Sequence, residues 1–570
     1  MNRLIALAIF LSLSGCQSTS QPTPDAQSAP KTVAPAGSQA SFSQDSMYAL
    51  LVAEIAGQRN RFDIALNNYV DQAKKTQDPA VAERAFRIAE YLEADQDALD
   101  MSLIWANRAP TNIEAQRAAA IQLARSGQYD QSMAFMERVL AGHGDTHFDF
   151  LALSAAETDQ STRSALLGSF ERLLQKHPDN SQLVFGKALL LQQDGRDQEA
   201  LALLNQKADE QQGIPTTLLH TRLLQSMGKS EEALPVLRKS LEHYPNDKRL
   251  RLTYARLLLE NNQIEQSISE FAGLLQRYPS DDELRLTLAL VYLEANAPRE
   301  AIINLEDLLV SGNYPSAAYL NLGRAHEALG QTRQAVESYQ AVAPSNEYLP
   351  AQLLLTQLLF RQGRGAEAQS WLKEQRQHQP ELLPQLYLIE VDVLAQSDQQ
   401  EEAWTLINQA LLEIPNDTSL LYTRALLAES RGDLALLESD LRIILANDPN
   451  NAMALNALGY TLADRTHRYQ EALELIERAY QINPDDPATL DSLGWVYYKL
   501  GRYQEAERFL KQAYALMPDD EVAAHLGEAL WASGKHREAK QIWQNALRKY
   551  PDSPVITETT QRLNASESRP

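Results

Sequence analysis

Residues 485–518 read DDPATLDSLGWVYYKLGRYQEAERFLKQAYALMP, and this stretch decides the fold. Leu490, Leu493, Gly494, Tyr497, Gly501, Tyr503, Ala506, Leu510, Ala513 and Pro518 stand in it at offsets that recur on either side. Leu458-Gly459, Leu493-Gly494 and Leu526-Gly527 follow one another at intervals of 35 and 33 residues. Behind each pair comes an alanine (Ala472, Ala506, Ala539), a second alanine (Ala479, Ala513, Ala546) and a closing proline (Pro484, Pro518, Pro551). Small residues at fixed helical offsets let two helices approach closely, and a proline cannot extend the helix before it.

A period near 34 residues with this order of markers resembles the tetratricopeptide repeat, a pair of antiparallel helices. The resemblance implies an all-α superhelical solenoid of about fifteen helix pairs. The prolines carry the ladder backwards through Pro449, Pro415 and Pro380, then Pro279 and Pro245, with Pro178 and Pro110 about two periods apart. Glycines such as Gly127, Gly195, Gly228, Gly330, Gly363, Gly432, Gly501 and Gly534 mark the turn inside each unit, as helix C-caps do. Residues 46–144 read as degenerate N-terminal copies, 145–449 as a central array and 450–552 as the well-matched end. Two glycines near 141–145 suggest a soft boundary, and 143–178 has lost most markers. The tail 553–570 carries no further repeat and is expected to cap the last pair in part.

The chain is long for one compact core, which a solenoid does not need because each unit packs only on its neighbours. The formal charge of −23 argues against nucleic acid as partner, since phosphates call for Lys and Arg. The only cysteine is Cys16, which excludes internal disulfides and a cysteine-rich zinc site. Asn2-Arg3 followed by the apolar run Leu4 to Leu13 reads as a secretory signal, too short to span a bilayer. The run ends in Leu13-Ser14-Gly15-Cys16, which resembles the bacterial lipobox. That resemblance implies removal of 1–15, lipidation of Cys16 and, with Gln17-Ser18 rather than Asp after the cysteine, sorting to the outer membrane. The segment 16–45 is rich in Ser, Gln, Pro, Ala and Thr and is expected to be a disordered tether averaging roughly 30 Å from end to end.

No nucleophile elbow, phosphate loop or His-Glu-x-x-His motif occurs, so no enzyme activity, cofactor or metal is expected. His143, Asp145, His147 and Asp149 are the one His/Asp cluster and read as a polar loop between repeats. Recognition is the chemistry that remains. In tetratricopeptide arrays the first helix of each unit lines a concave groove. Matched to that pattern, the groove residues are Asn456, Tyr460 and Asp464, then Asp491, Trp495, Tyr498 and Lys499, then Glu528 and Trp531. Rigid aromatics bordered by polar groups suit peptide recognition. The other reading of Trp495 and Trp531 is packing between neighbouring helices. Leu493, Tyr497 and Trp543 are core by register. A basic clamp for free carboxylates is absent, because its positions hold Met453, Ala457, Ala488, Ser492, Glu521 and His525.

Lipobox, tether and repeat body together resemble proteobacterial tetratricopeptide outer-membrane lipoproteins. Asn456 to Arg465 (NALGYTLADR) and Asp491 to Trp495 (DSLGW) look like the C-terminal half of one large group of them. Size and layout are similar to adaptors that partner periplasmic carboxyl-terminal processing proteases and bring them peptidoglycan hydrolase substrates. The implied role is a non-catalytic scaffold on the periplasmic face of the outer membrane, anchored in the membrane by lipid. The alternative is an assembly factor for an envelope machine such as a pilus or secretin.

Overall fold

The computed structural model describes residues 42–144, 146–206 and 213–567, with the side chains of 564–567 left aside. Cys16, the leader and the tether up to residue 41 lie outside the described residues, as does Asp145. Among the described residues there are thirty-one α-helices, from α1 (Gln44–Gln58) to α31 (Pro554–Glu567), one short 3-10 turn at Pro380–Leu382 and no strand. Fifteen helix pairs and one extra helix result, as the repeat period implies. None of these helices is long and apolar enough to cross a membrane.

Each unit is punctuated by the same local chemistry. The prolines sit just after the second helix, and an Asp or Asn usually follows two residues later as N-cap of the next first helix. Asn451 and Asp486 cap α25 (Ala452–Arg465) and α27 (Pro487–Lys499), accepting the backbone N–H of Ala454 and Thr489 at 3.0 and 2.8 Å. Asp247, Asp281 and Asp417 do the same earlier in the chain. Each cap satisfies an N–H that the helix itself leaves without a partner. Between the two helices of most units the chain turns through one left-handed residue, the turns at 155–159 and 466–468 being the exceptions. At Gly501 φ is 75°, and the next N–H, from Arg502, donates back to the Tyr497 carbonyl at 2.9 Å. This is the Schellman closure, and it explains why glycine marks the turn.

The turn survives where the glycine does not. Asn60, Glu93, Asn262, Asn296 and Asp398 hold φ between 54° and 58° at the same place in their units. The Gln263 N–H still reaches the Leu258 carbonyl at 2.8 Å, and Ala94 reaches Ala89 at 2.9 Å. The repeat geometry thus extends through the units that looked degenerate. The real irregularity is the unit after residue 146, where α7 (Phe148–Ser154) has 7 residues and α8 (Gln160–Lys176) has 17.

The Leu-Gly and Ala markers are packing residues. Leu458, Leu493, Leu526 and the alanines behind them are buried. A side chain on Gly494 would meet Leu510 Cγ at 2.5 Å, and one on Gly527 would meet the Trp543 indole nitrogen at 2.0 Å. Those glycines bring α27 against α28 (Tyr503–Leu516) and α29 (Asp520–Ala532) against α30 (His536–Lys549).

The chain divides at Gly228–Lys229 into two compact units. The first has one continuous core from Ala53 to Leu223. The expected soft boundary near 141–145 falls within it. The second holds several clusters, the largest running from Tyr387 to Ile556. In this second unit consecutive first helices touch, α25 with α27 and α27 with α29, so one wall is made of first helices alone. The tail closes it: α31 packs on α29, with Ile556 fully buried.

Candidate functional site

Four first helices, α23 (Thr418–Ser430), α25, α27 and α29, with Leu437 and Leu441 of the second helix α24 (Leu434–Asn447), border a groove of about 580 Å³ in the second unit. Its floor includes Leu426, Met453, Ala457, Ala488 and Val522. Leu426 and Met453 are 47% and 59% exposed, high values for apolar side chains. They stay open because the first helices give their small residues to one another and to the second helices, leaving the groove side of each turn uncovered.

Asn456 and Tyr460 lie where the helical register puts them, in this groove. Asn456 is half-buried, and its Oδ1 has no hydrogen-bond partner. The Tyr460 hydroxyl donates to Glu521 Oε1 at 2.9 Å, spanning from α25 to α29 past α27. Burial, then the Glu521 and Asp464 carboxylates, hold the Tyr460 hydroxyl above its ordinary pKa, so it remains a donor. Asp491 also borders the groove but is buried, and its carboxylate meets His525 Nδ1 at 2.9 Å. Both histidine and aspartate are more than nine-tenths buried, so the pair fastens α27 to α29.

The expected groove tryptophans are not exposed, and this corrects the sequence reading. Trp495 is 5% exposed and Trp531 is 8% exposed. The Trp495 indole lies between the His525 ring at 4.1 Å and the Tyr498 ring at 4.9 Å, with the Lys499 ammonium 4.5 Å from its centroid. Its N–H donates to Asp464 at 3.1 Å, and Lys499 reaches the same carboxylate at 3.6 Å. Trp531 stacks on His536 at 4.2 Å and packs near Trp543. Glu528 is also buried, paired with Arg562 of α31. The half-buried Tyr498 has its hydroxyl pushed up to about 12 by burial and by Glu528. Asp464, Trp495, Tyr498, Lys499, Glu528 and Trp531 thus form interlocking contacts that leave few of their polar groups free.

The groove wall instead uses residues noted only for the clamp they lack. Met453, Ala457, Ala488, Ser492 and Glu521 all border it, while His525 is buried beneath. Tyr422, Leu426 and Glu429 of α23 complete the wall and were not anticipated. Their signal was available, since α23 stands one period before α25.

Sequence profiles described as "Tetratricopeptide repeat" match residues 450–519, 224–274, 497–558, 167–213, 252–318, 286–350 and 320–377. A TPR repeat-containing protein of Pseudomonas aeruginosa is 56% identical over 100% of this chain and 97% of its own length. The chain belongs to the tetratricopeptide repeat family. Among solved structures, a thermophilic TPR protein of Thermus thermophilus is 25% identical over 31% of this chain and 98% of its own, with a TM-score of 0.29. The MamA protein of Desulfovibrio magneticus is 22% identical over 30% of this chain and 96% of its own, with a TM-score of 0.26.

Tetratricopeptide repeats are a protein–protein interaction scaffold, and the open wall of first helices is the surface such a scaffold offers. Among the described residues no group of three or more His, Cys, Asp and Glu is placed to hold a metal. His147 stands just before α7 as its N-cap residue, and His143 occupies a left-handed turn position of its own.

Proposed function

We propose that the protein is a non-catalytic adaptor, tethered by lipid at Cys16 to the outer membrane and facing the periplasm. Its repeat body holds a carboxyl-terminal processing protease together with peptidoglycan hydrolases that the protease cleaves. The groove bordered by α23, α25, α27 and α29 carries this reading. It is open and apolar at its floor, where Met453 and Leu426 are not used up by packing, and Asn456 beside them keeps a free Oδ1. The mechanism is confinement. Two partners on one body meet at an effective concentration in the millimolar range for short flexible linkages, with no bond-making step supplied by the adaptor.

The test uses the full chain in its native envelope. A photo-crosslinking residue at position 453, on the groove floor, and one at the exposed position 310 of α16 (Pro298–Ser311), are compared by mass spectrometry of the captured proteins. Capture of a periplasmic protease or a cell-wall hydrolase from position 453 and not 310 is the expected result. Recovery of neither class from the groove overturns the adaptor reading. Membrane fractionation of Cys16→Ala tests the anchor: the variant should leave the membrane fraction.

A further inference from the structure

We propose that the groove between α23 and α29 takes a cationic, apolar segment of its protein partner, with Leu- or Met-sized side chains flanked by Lys or Arg. The proposal rests on the reading of the repeat body as a protein-binding scaffold and names the chemistry its partner must carry.

Charge is the first argument. Of the 22 residues that border the groove, five are carboxylates, Glu429, Asp486, Asp491, Asp519 and Glu521, and none is Lys, Arg or His. The five are not equivalent. Asp486 and Asp519 cap α27 and α29, accepting the N–H of Thr489 and Val522, and the positive helix ends offset their charge. Asp491 faces His525. Two carboxylates have no cationic side-chain partner, although the end of α29 offsets part of the charge of Glu521 in its first turn. Glu521 is exposed and accepts one neutral hydrogen bond, from Tyr460. The Glu429 carboxylate is half-exposed and makes no hydrogen bond or ion pair with another described residue.

The cations of the same helices are engaged elsewhere. Arg465, at the end of α25, pairs with Asp464 at 3.2 Å. Arg424 of α23 forms a two-pronged pair with Asp440 at 2.7 Å and also bonds Asn408. Lys499 lies over Trp495 beside Asp464. His525 is buried against Asp491. A field of one sign therefore persists over an apolar floor, and low-dielectric walls strengthen it.

The floor is the second argument. Leu426 and Met453 are open to solvent within a concave wall, and Ala457 and Ala488 leave space beside them. Methionine adapts to side chains of varied shape, which suits an irregular apolar segment. Glu429 lies at the α23 end and Glu521 at the α29 end, so the segment is recognised by cations on both sides of its apolar residues. The same field disfavours acidic segments and phosphate-bearing ligands.

The test measures binding of fluorescein-labelled peptides to the purified chain from Gln17 to Pro570 by anisotropy. One probe alternates Lys with Leu and Ala over nine residues. A second replaces each Lys by Glu, and a third replaces each Leu by Ser. The first should bind, weaken as salt rises, and lose about tenfold or more in affinity in either replacement. The variant Glu429→Gln/Glu521→Gln should weaken the first probe by about tenfold, with helicity and melting little changed because an amide oxygen at position 521 can still accept the Tyr460 hydroxyl. Equal or tighter binding of the Glu probe, or no change in the double variant, overturns the proposal. So does self-association of the chain that displaces the first probe, since the occupant would then be a second copy. The two readings fail separately. If groove crosslinks capture envelope enzymes and the double variant captures them equally well, the adaptor role stands and the cationic segment falls. If nothing is captured but the probes discriminate by charge, the reverse holds.

Discussion

Replacing Gly527 by alanine tests the packing logic of the whole array, because an identical change elsewhere should have the opposite sign. Alanine is favoured over glycine inside a helix by about 1 kcal/mol. At Gly273, within α14 (Ile264–Arg277), an added Cβ meets nothing within 4 Å, so Gly273→Ala should keep that gain. At Gly527 the same atom falls 2.0 Å from the Trp543 indole nitrogen and 2.3 Å from Cε2. The ring is buried and flanked by Trp531, so it has no free rotamer to adopt. Overpacking of this kind costs about 1–3 kcal/mol, and a fused ring belongs at the upper end. Subtracting the helix gain leaves a net loss of about 2 kcal/mol, roughly a thirtyfold change in a local opening equilibrium. Repeat arrays open locally, so hydrogen exchange followed by mass spectrometry is the assay. Peptides from 520–549 should exchange about thirtyfold faster in Gly527→Ala, while peptides from 264–277 should be slowed in Gly273→Ala. Unchanged exchange across 520–549 would refute the claim that these glycines are contact points between paired helices.

The left-handed turn at Glu93 makes Glu93→Gly stabilising by about 1 kcal/mol, read as a higher urea midpoint for the first unit. Asp440→Asn leaves Arg424 buried against a weakened partner and should cost about 3–5 kcal/mol, whereas Arg424→Met/Asp440→Leu should cost far less in the same urea titration. Trp495→Ala should lower stability by about 3–5 kcal/mol along with any partner binding, while Met453→Ser should weaken binding at unchanged melting temperature. Burial lowers the pKa of His525, but the Asp491 carboxylate, with Glu521 and Glu528, raises it further, and the net shift is upward. A raised folded-state pKa means the pair's contribution is full below about pH 6.5 and is lost as pH rises through the folded value. Urea midpoints of the second unit taken from pH 5.5 to 8.5 should therefore fall in the native chain, and Asp491→Asn should flatten that fall.

The part of the fold written most plainly in the sequence is the part that recurs. Where the Leu-Gly pair recurs its glycine meets the equivalent position of the second helix, Ile476 for Gly459, Leu510 for Gly494 and Trp543 for Gly527, so the spacing alone states the role. Where Glu93 or Asn262 replaces the turn glycine the period looks broken, yet one residue in the left-handed region is all the turn requires. The groove is less legible because it depends on contacts between units. Tyr460 and Glu521 are 61 residues apart, and the bond between them follows from the rotation between successive units, which no residue pattern encodes. Trp495 and Trp531 show the same limit from the other side. Their register admits groove or core, and His525, Lys499 and His536 decide for the core. Glu528 was beyond reach for a further reason, since the helix that covers it, α31, carries no repeat marker.

Asp491–His525, Trp495–Asp464 and Tyr460–Glu521 each join two first helices, and the last passes over the helix between them. With these links made, α25, α27 and α29 are fixed relative to one another before any partner arrives. A preformed surface loses less side-chain and loop freedom on binding, so fewer contacts suffice for a given affinity. The aromatic residues that looked like the recognition surface are its support. In the proposed recognition the accessible side chains Met453 and Glu521 have their spacing set by the buried stack, and Leu426 and Glu429 of α23 stand beside them.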